Sequence, residues 1–237
     1  MKKGLIILAI AMFSTSAFSQ FQIGPKFGMN FSKQKGHTTG SVSELLYGDF
    51  NDNVRSKMGT QFGFMMNMGG DHVFNFQPEF MYVNRGYKYV DSDGNLLYTQ
   101  KNNYLDIDLL FNLGKTTNST WRVYGILGPA IDVWLSQGAY DKDGEFIAHS
   151  DEFSFDDGNN SVVYTDVRVD VSFVFGAGFK YRLGPGWLIF SPRYKWGFVP
   201  QHSKQYLNSS DNDFFYLTNK GFYLDFGYAF QFGGEEK

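Results

Sequence analysis

The 237-residue sequence contains no cysteine. That absence excludes disulfides, thiolate metal sites, a cysteine nucleophile and a lipid-modified N-terminal cysteine. A dominant charge is missing too: 21 Lys and Arg face 24 Asp and Glu, giving a formal net charge of −3. Without a Lys/Arg-rich run there is no phosphate-tracking surface, so nucleic acid is not an expected partner. Long apolar runs are also scarce. Leu5 to Phe13 is too short to span a bilayer as a helix, and nothing after it approaches the roughly 18 apolar residues that a spanning helix needs. Proline is rare, with six in all.

What is present begins with Lys2 and Lys3, the apolar run, and then Ala17-Phe18-Ser19. A basic start, a short apolar core and small residues at the cleavage positions predict a secretory signal peptide over residues 1–19, cut before Gln20, and one domain over 20–237. Aromatic residues make up 19% of the chain and glycine contributes 27 residues, a composition suited to short, evenly spaced strands with an aromatic outer surface.

Alternation is the dominant pattern. Phe222, Leu224, Phe226, Tyr228, Phe230 and Phe232 share one parity, while Tyr223, Asp225, Gly227, Ala229 and Gln231 take the other. A period of two puts the first set on one face of a strand and the second set on the opposite face. Phe21 to Ser32, Met58 to Met68, Val73 to Val90, Tyr104 to Leu113, Trp121 to Leu135, Val167 to Arg182 and Leu188 to Phe198 repeat this reading. Apolar outside and polar inside is the signature of an all-β, eight-stranded, antiparallel up-and-down transmembrane barrel.

Connection lengths supply a second, independent signal. Long segments at Lys33 to Lys57, Asp91 to Gln100, Ser136 to Thr165 and Gln201 to Thr218 alternate with short ones at Gly69 to His72, Gly114 to Thr120 and Gly184 to Gly186. Such alternation places the long loops outside the cell and both mature termini in the periplasm. Pro25, Pro78, Pro129 and Pro192 resist the scheme, since each falls inside a strand and removes a ladder donor.

Several segments resemble the PorT-like outer-membrane β-barrel domain family. They are Gly24-Pro25-Lys26-Phe27-Gly28-Met29-Asn30-Phe31-Ser32, Gln77-Pro78-Glu79-Phe80-Met81-Tyr82, Tyr104 to Leu110, Leu127-Gly128-Pro129, Asp170 to Gly178, Arg193-Tyr194 and Phe226 to Phe230. Asp108 stands where that family usually has proline. The resemblance implies an outer-membrane location and, through the name-giving member, a link to type IX protein secretion.

Among candidate functional residues the inward charges are the most informative. Parity turns six acids (Glu79, Asp106, Asp108, Asp132, Asp170, Asp225) and six bases (Lys26, Arg122, Arg168, Lys180, Arg193, Lys195) toward the lumen. Eight strands leave an interior just wide enough to be filled by side chains, so equal numbers predict a paired, plugged lumen. Its expected core is a cluster of Lys26, Glu79, Asp106, Asp108, Arg193, Lys195 and Asp225, with Asp225 between Lys26 and either Arg193 or Lys195.

Other motifs favour plain readings. Asp141, Asp143 and Glu145 offer oxygen donors for calcium but lack the spacing of an EF-hand loop. His37, His149 and His202 fall in predicted loops and His72 in a turn, and His149-Ser150-Asp151 is contiguous, so its side chains point to opposite sides of an extended chain. Lys220-Gly221-Phe222-Tyr223-Leu224-Asp225-Phe226 resembles the signal that barrel-assembly machinery reads on a last strand. No catalytic residue and no cofactor is expected. The expected partners are outer-membrane lipid, lipopolysaccharide, the assembly machinery and protein partners in a membrane complex. The leading expectation is a non-enzymatic barrel acting through its loops or wall, as an accessory subunit of a type IX-like secretion or an assembly complex. A small-solute pore or hydrophobic-ligand transporter, and an outer-membrane hydrolase, are the alternatives.

Overall fold

The computed structural model describes residues 21–39, 50–69, 73–114, 120–148, 162–166, 168–199, 202–206 and 213–233. The expected signal peptide, His72 and His149 lie outside the described residues. Eight long strands form one ring: β1 (Phe21–Thr39), β2 (Val54–Met68), β3 (Phe74–Val90), β4 (Leu96–Leu113), β5 (Trp121–Tyr140), β8 (Val169–Leu183), β9 (Gly186–Gly197) and β11 (Asp213–Phe232). Every neighbouring pair is antiparallel. The ring closes where β1 meets β11, from Phe21 opposite Phe232 to Thr39 opposite Phe214. Closure leaves no free sheet edge in the eight-stranded wall.

The alternation seen in the sequence decides which way each side chain points. Lys26, Asn30, Glu79, Asp106 and Asp225 are buried inside the ring, while Phe27, Phe62, Val123, Phe175 and Phe226 are exposed on its outer wall. Exposed Phe74, Tyr181 and Phe230 lie near the end with the short turns. Tyr82, Trp196 and Phe198 lie toward the end with the long connections. An outward apolar band with aromatic residues at both borders is what a bilayer stabilises.

Segments expected to be loops are in good part strand. β1 runs on to Thr39, and the β3–β4 connection shrinks to a tight hairpin. The short strands β6 (Phe146–Ala148), β7 (Val162–Asp166) and β10 (His202–Tyr206) pair with β5, β10 and β11 respectively. β7 leads into β8 and β10 continues from β9, so both carry the wall beyond the apolar band. Above that band the outward positions meet water and become polar, so the alternation that marks a strand in the sequence fades while backbone pairing persists.

The four prolines follow one rule. Each keeps its ladder to the following strand, as with Pro25 opposite Phe64, Pro78 opposite Leu109, Pro129 opposite Phe173 and Pro192 opposite Leu224. On the side of the preceding strand, two successive pairs are missing from the register: between Ile23 and Lys26, Phe76 and Glu79, Leu127 and Ala130, and Phe190 and Arg193. Glycine precedes two of these prolines. A side chain at Gly24 would place its Cβ 1.7 Å from the Tyr228 carbonyl oxygen, and one at Gly128 would place it 2.2 Å from that of Leu109. The partner carbonyl therefore closes on the glycine Cα, where Cα–H contacts partly replace the missing N–H.

Candidate functional site

The lumen charges form the only large assembly of ionisable side chains among the described residues. Four cations and five anions are joined in one network. Lys26 Nζ lies 2.7 Å from Glu79 and 3.6 Å from Asp225, and Arg193 reaches Glu79 at 2.8 Å, Asp225 at 2.5 Å and Asp108 at 3.6 Å. Lys195 bridges Asp106 at 2.7 Å, Asp108 at 2.8 Å and Asp132 at 2.6 Å. Arg85 pairs with Asp106 and lies 3.1 Å from Asp132, its guanidinium 4.9 Å from the Tyr104 ring centroid. All nine side chains are buried.

Neutral groups complete the shell. Gln77 donates to Glu79 at 2.7 Å, Gln61 donates to Asp225 and Ser172 donates to Asp132 at 2.9 Å. Ion pairs out of water are costly unless their remaining lone pairs and protons are used. Here nearly every member has two or three partners, and that multiplicity makes the burial tolerable.

All seven residues of the expected cluster belong to this network, and Asp225 lies between Lys26 and Arg193. Lys195 instead turns to the aspartates across the lumen. Asp132 and Arg85 join as well. Arg85 was missed because the outer face of β3 turns polar at Asn84; carrying the parity of Glu79, Met81 and Val83 two residues further would have found it. Arg168 is the converse error: it is exposed at a bend between β7 and β8, where the ladder breaks and parity no longer carries over. Three other expected inward charges stand apart. Arg122 donates to the Gly114 carbonyl, Lys180 donates to Gln22, and Asp170 accepts from the Val199 N–H and Asn219.

Apolar and aromatic groups close the lumen on both sides of the network. Met65, Trp187, Ile189 and Ala229 form a cluster toward the short turns. At the other end a single helical turn, α1 (Phe50–Asn53), sits beside β1. Its Asn51 side chain makes two 2.9 Å hydrogen bonds with the Gly36 backbone, and its Phe50 ring packs 5.8 Å from Tyr87 and 5.6 Å from Phe215. Between these layers a cavity beside Asp106, Asp108, Arg193, Lys195 and Tyr223 has room for about one water molecule.

Metal binding finds little support in the remaining acids. Asp106, Asp108 and Asp132 approach one another closely enough to share a cation, but the Lys195 ammonium and Arg85 guanidinium already fill that role. The calcium candidates are not gathered. Asp141 accepts from the N–H groups of Asp143 and Glu145, and Gly144 takes a positive φ of 86°. An identical arrangement recurs at Asp91, Asp93, Gly94 and Asn95. The shared Asp-x-Asp-Gly pattern is thus a hairpin turn, its first carboxylate spent on backbone donors. His37 Nε2 lies 3.2 Å from Thr218 Oγ1 with its ring stacked on Tyr216. His202 sits on β10.

A closed ring of eight antiparallel strands with an apolar wall and a charged, filled lumen defines an outer-membrane β-barrel. The family model of the outer membrane protein beta-barrel domain matches residues 13–203, and the chain belongs to that family. Among solved structures the chain is similar to the outer membrane protein OprG of Pseudomonas aeruginosa, with a TM-score of 0.50 and 14% identity, covering 92% of this chain and 98% of that one. It is also similar to a major outer membrane protein of Thermus thermophilus, with a TM-score of 0.48, 10% identity and coverage of 90% and 99%. For the outer membrane protease OmpT of Escherichia coli the TM-score is 0.45, with 9% identity and coverage of 92% and 98%. The likeness to OprG shows the fold alone. No curated protein sequence matches the chain.

Proposed function

We propose that this chain is a non-enzymatic, PorT-like barrel that acts through contacts of its wall and its long-connection end, as an accessory subunit of a type IX-like secretion or an assembly complex. The observation that carries the proposal is the filled lumen: among the described residues, nine buried, mutually paired charges capped by apolar layers leave no water column. A barrel closed in this way has only its outer surfaces to offer. Planar-bilayer recordings of the purified protein are expected to show no conductance above baseline, and steady channel openings would move the pore alternative ahead. Deleting the gene is expected to block release of a secreted substrate, with complex members recovered by crosslinking to the native barrel. Unimpaired secretion in the deletion strain would overturn the accessory role.

In this reading the long connections face the exterior and both mature termini face the periplasm, as an even strand number with short turns on one side favours. Epitope tags inserted between Lys142 and Asp143 should be reached by antibody on intact cells. A tag after Gly184 should be reached only once the outer membrane is permeabilised, and the reverse pattern would invert the topology.

A further inference from the structure

On the outer wall, the seam between β1 and β11 changes character in a single step. Successive outward pairs are Phe27 opposite Phe226, Met29 opposite Leu224 and Phe31 opposite Phe222, and then Lys33 opposite Lys220. Lys35 follows opposite Thr218, and His37 lies opposite Tyr216. Two like charges directly opposite on an antiparallel pair destabilise it. Neither they nor Lys35 makes an ion pair with a carboxylate among the described residues, the ten ion pairs there all lying in the lumen. The Lys220 ammonium instead lies 4.8 Å from the Trp196 ring centroid, at the top of the apolar band.

His37, above the band, is held below its ordinary imidazole value by partial burial and then by Lys35 and Lys220. Another like-charge pair, Arg55 opposite Lys88, occurs between β2 and β3, but Asn84 and Gly86 intervene on β3 between Lys88 and the exposed Tyr82 of the apolar band. The cationic patch of Lys33, Lys35 and Lys220, without an ion pair among the described residues, lies directly above exposed Phe31, Phe222 and Trp196, as suits the border between acyl chains and headgroups.

We propose that Lys33, Lys35 and Lys220 form a docking surface for the phosphorylated headgroup of an outer-leaflet glycolipid, whose acyl chains lie against Phe31, Phe222 and Trp196. Three ammonium groups within two register steps suit a headgroup bearing more than one negative charge, and lysine binds phosphate as a point charge. The bound phosphate relieves the Lys33–Lys220 repulsion and fixes the barrel's depth and rotation relative to its lipid shell. The inference rests on the orientation proposed above, which the epitope tags test separately; lipid binding by purified protein does not depend on it.

The test uses the full mature protein in phosphatidylcholine nanodiscs carrying either bis-phosphorylated lipid A or the same glycolipid with its phosphates removed, with bound lipid counted by native mass spectrometry. The phosphorylated form should be retained preferentially. The Lys33→Gln/Lys35→Gln/Lys220→Gln variant should lose apparent affinity on the order of a hundredfold, as expected for three lysines at an anionic lipid surface. A Lys88→Gln/Lys101→Gln variant, altered elsewhere on the rim, should bind as the parent does. Folding of each is checked by its shift on gels before and after boiling. As a readout on the unaltered protein, the imidazole of His37, followed by NMR, should titrate at higher pH when the phosphorylated lipid is present. Equal retention of the phosphate-free lipid, unchanged binding by the triple variant, or a His37 titration indifferent to lipid would each overturn the proposal.

Discussion

Replacing Arg193 by methionine is expected to lower the unfolding free energy by about 3 to 5 kcal/mol, the usual cost of stranding buried charges. The reason lies in the balance of the network. Arg193 serves Glu79, Asp108 and Asp225 at once, and the network already holds five carboxylates against four cations. Its loss leaves three cations for five anions. Asp225→Asn, by contrast, leaves four against four, with Lys26 still on Glu79 and Arg193 still on Glu79 and Asp108. The arginine variant should therefore be the more damaging. Combining the two substitutions should cost less than the sum of the single effects, since the second removes one of the charges stranded by the first. Urea unfolding in a fixed lipid or detergent is the measurement; a silent Arg193→Met, or strict additivity, would mean that water solvates these groups and the lumen is open.

A larger effect is expected at Gly24, where the wall closes. Gly24→Val would drive a Cβ into the Tyr228 carbonyl oxygen and then add two methyl groups beyond it. The three nearest atoms are all backbone of β11, so no flexible side chain can yield. Overpacking commonly costs about 1 to 3 kcal/mol where side chains can adjust, and this contact lies beyond that range. The β1–β11 seam should fail to form, and the heat-modifiable band should disappear from gels. Gly94→Val is the control, because a Cβ there meets nothing within 4 Å and its cost is confined to the strain of a φ of 86° in an exposed turn. Normal assembly of Gly24→Val would show that the strands do not approach as closely as described.

The barrel was legible in the sequence because lipid outside and paired charges inside impose opposite demands on alternate residues. Phe222 to Phe232 needed nothing more than parity to be read correctly. Legibility faded where one demand disappeared. Beyond the apolar band both faces of a strand can be polar, so residues 33–39 and 213–218 were read as loop although they pair through most of their length. Arg85 was lost at the same border. Arg168 was misplaced by a break in pairing that leaves no compositional mark. The identity of lumen partners was only half readable: parity placed Lys195 inside, but whether it meets Asp225 or the aspartates of β4 and β5 depends on side-chain reach across the lumen. Asp141, Asp143 and Glu145 carried the right atoms for an ion, and only backbone geometry shows them building a turn.

The proline gaps divide the wall unevenly. Pairing is interrupted between β11 and β1, β2 and β3, β4 and β5, and β8 and β9, while β1 with β2, β3 with β4, β5 with β8 and β9 with β11 remain continuous past the same prolines. The ring is in this sense four two-stranded staves bound edge to edge. Lys26, Glu79 and Arg193, each directly following one of the prolines, reach from three different staves into one ion-pair network. The lumen charges thus act as an internal hoop across the joints where the wall has fewest hydrogen bonds.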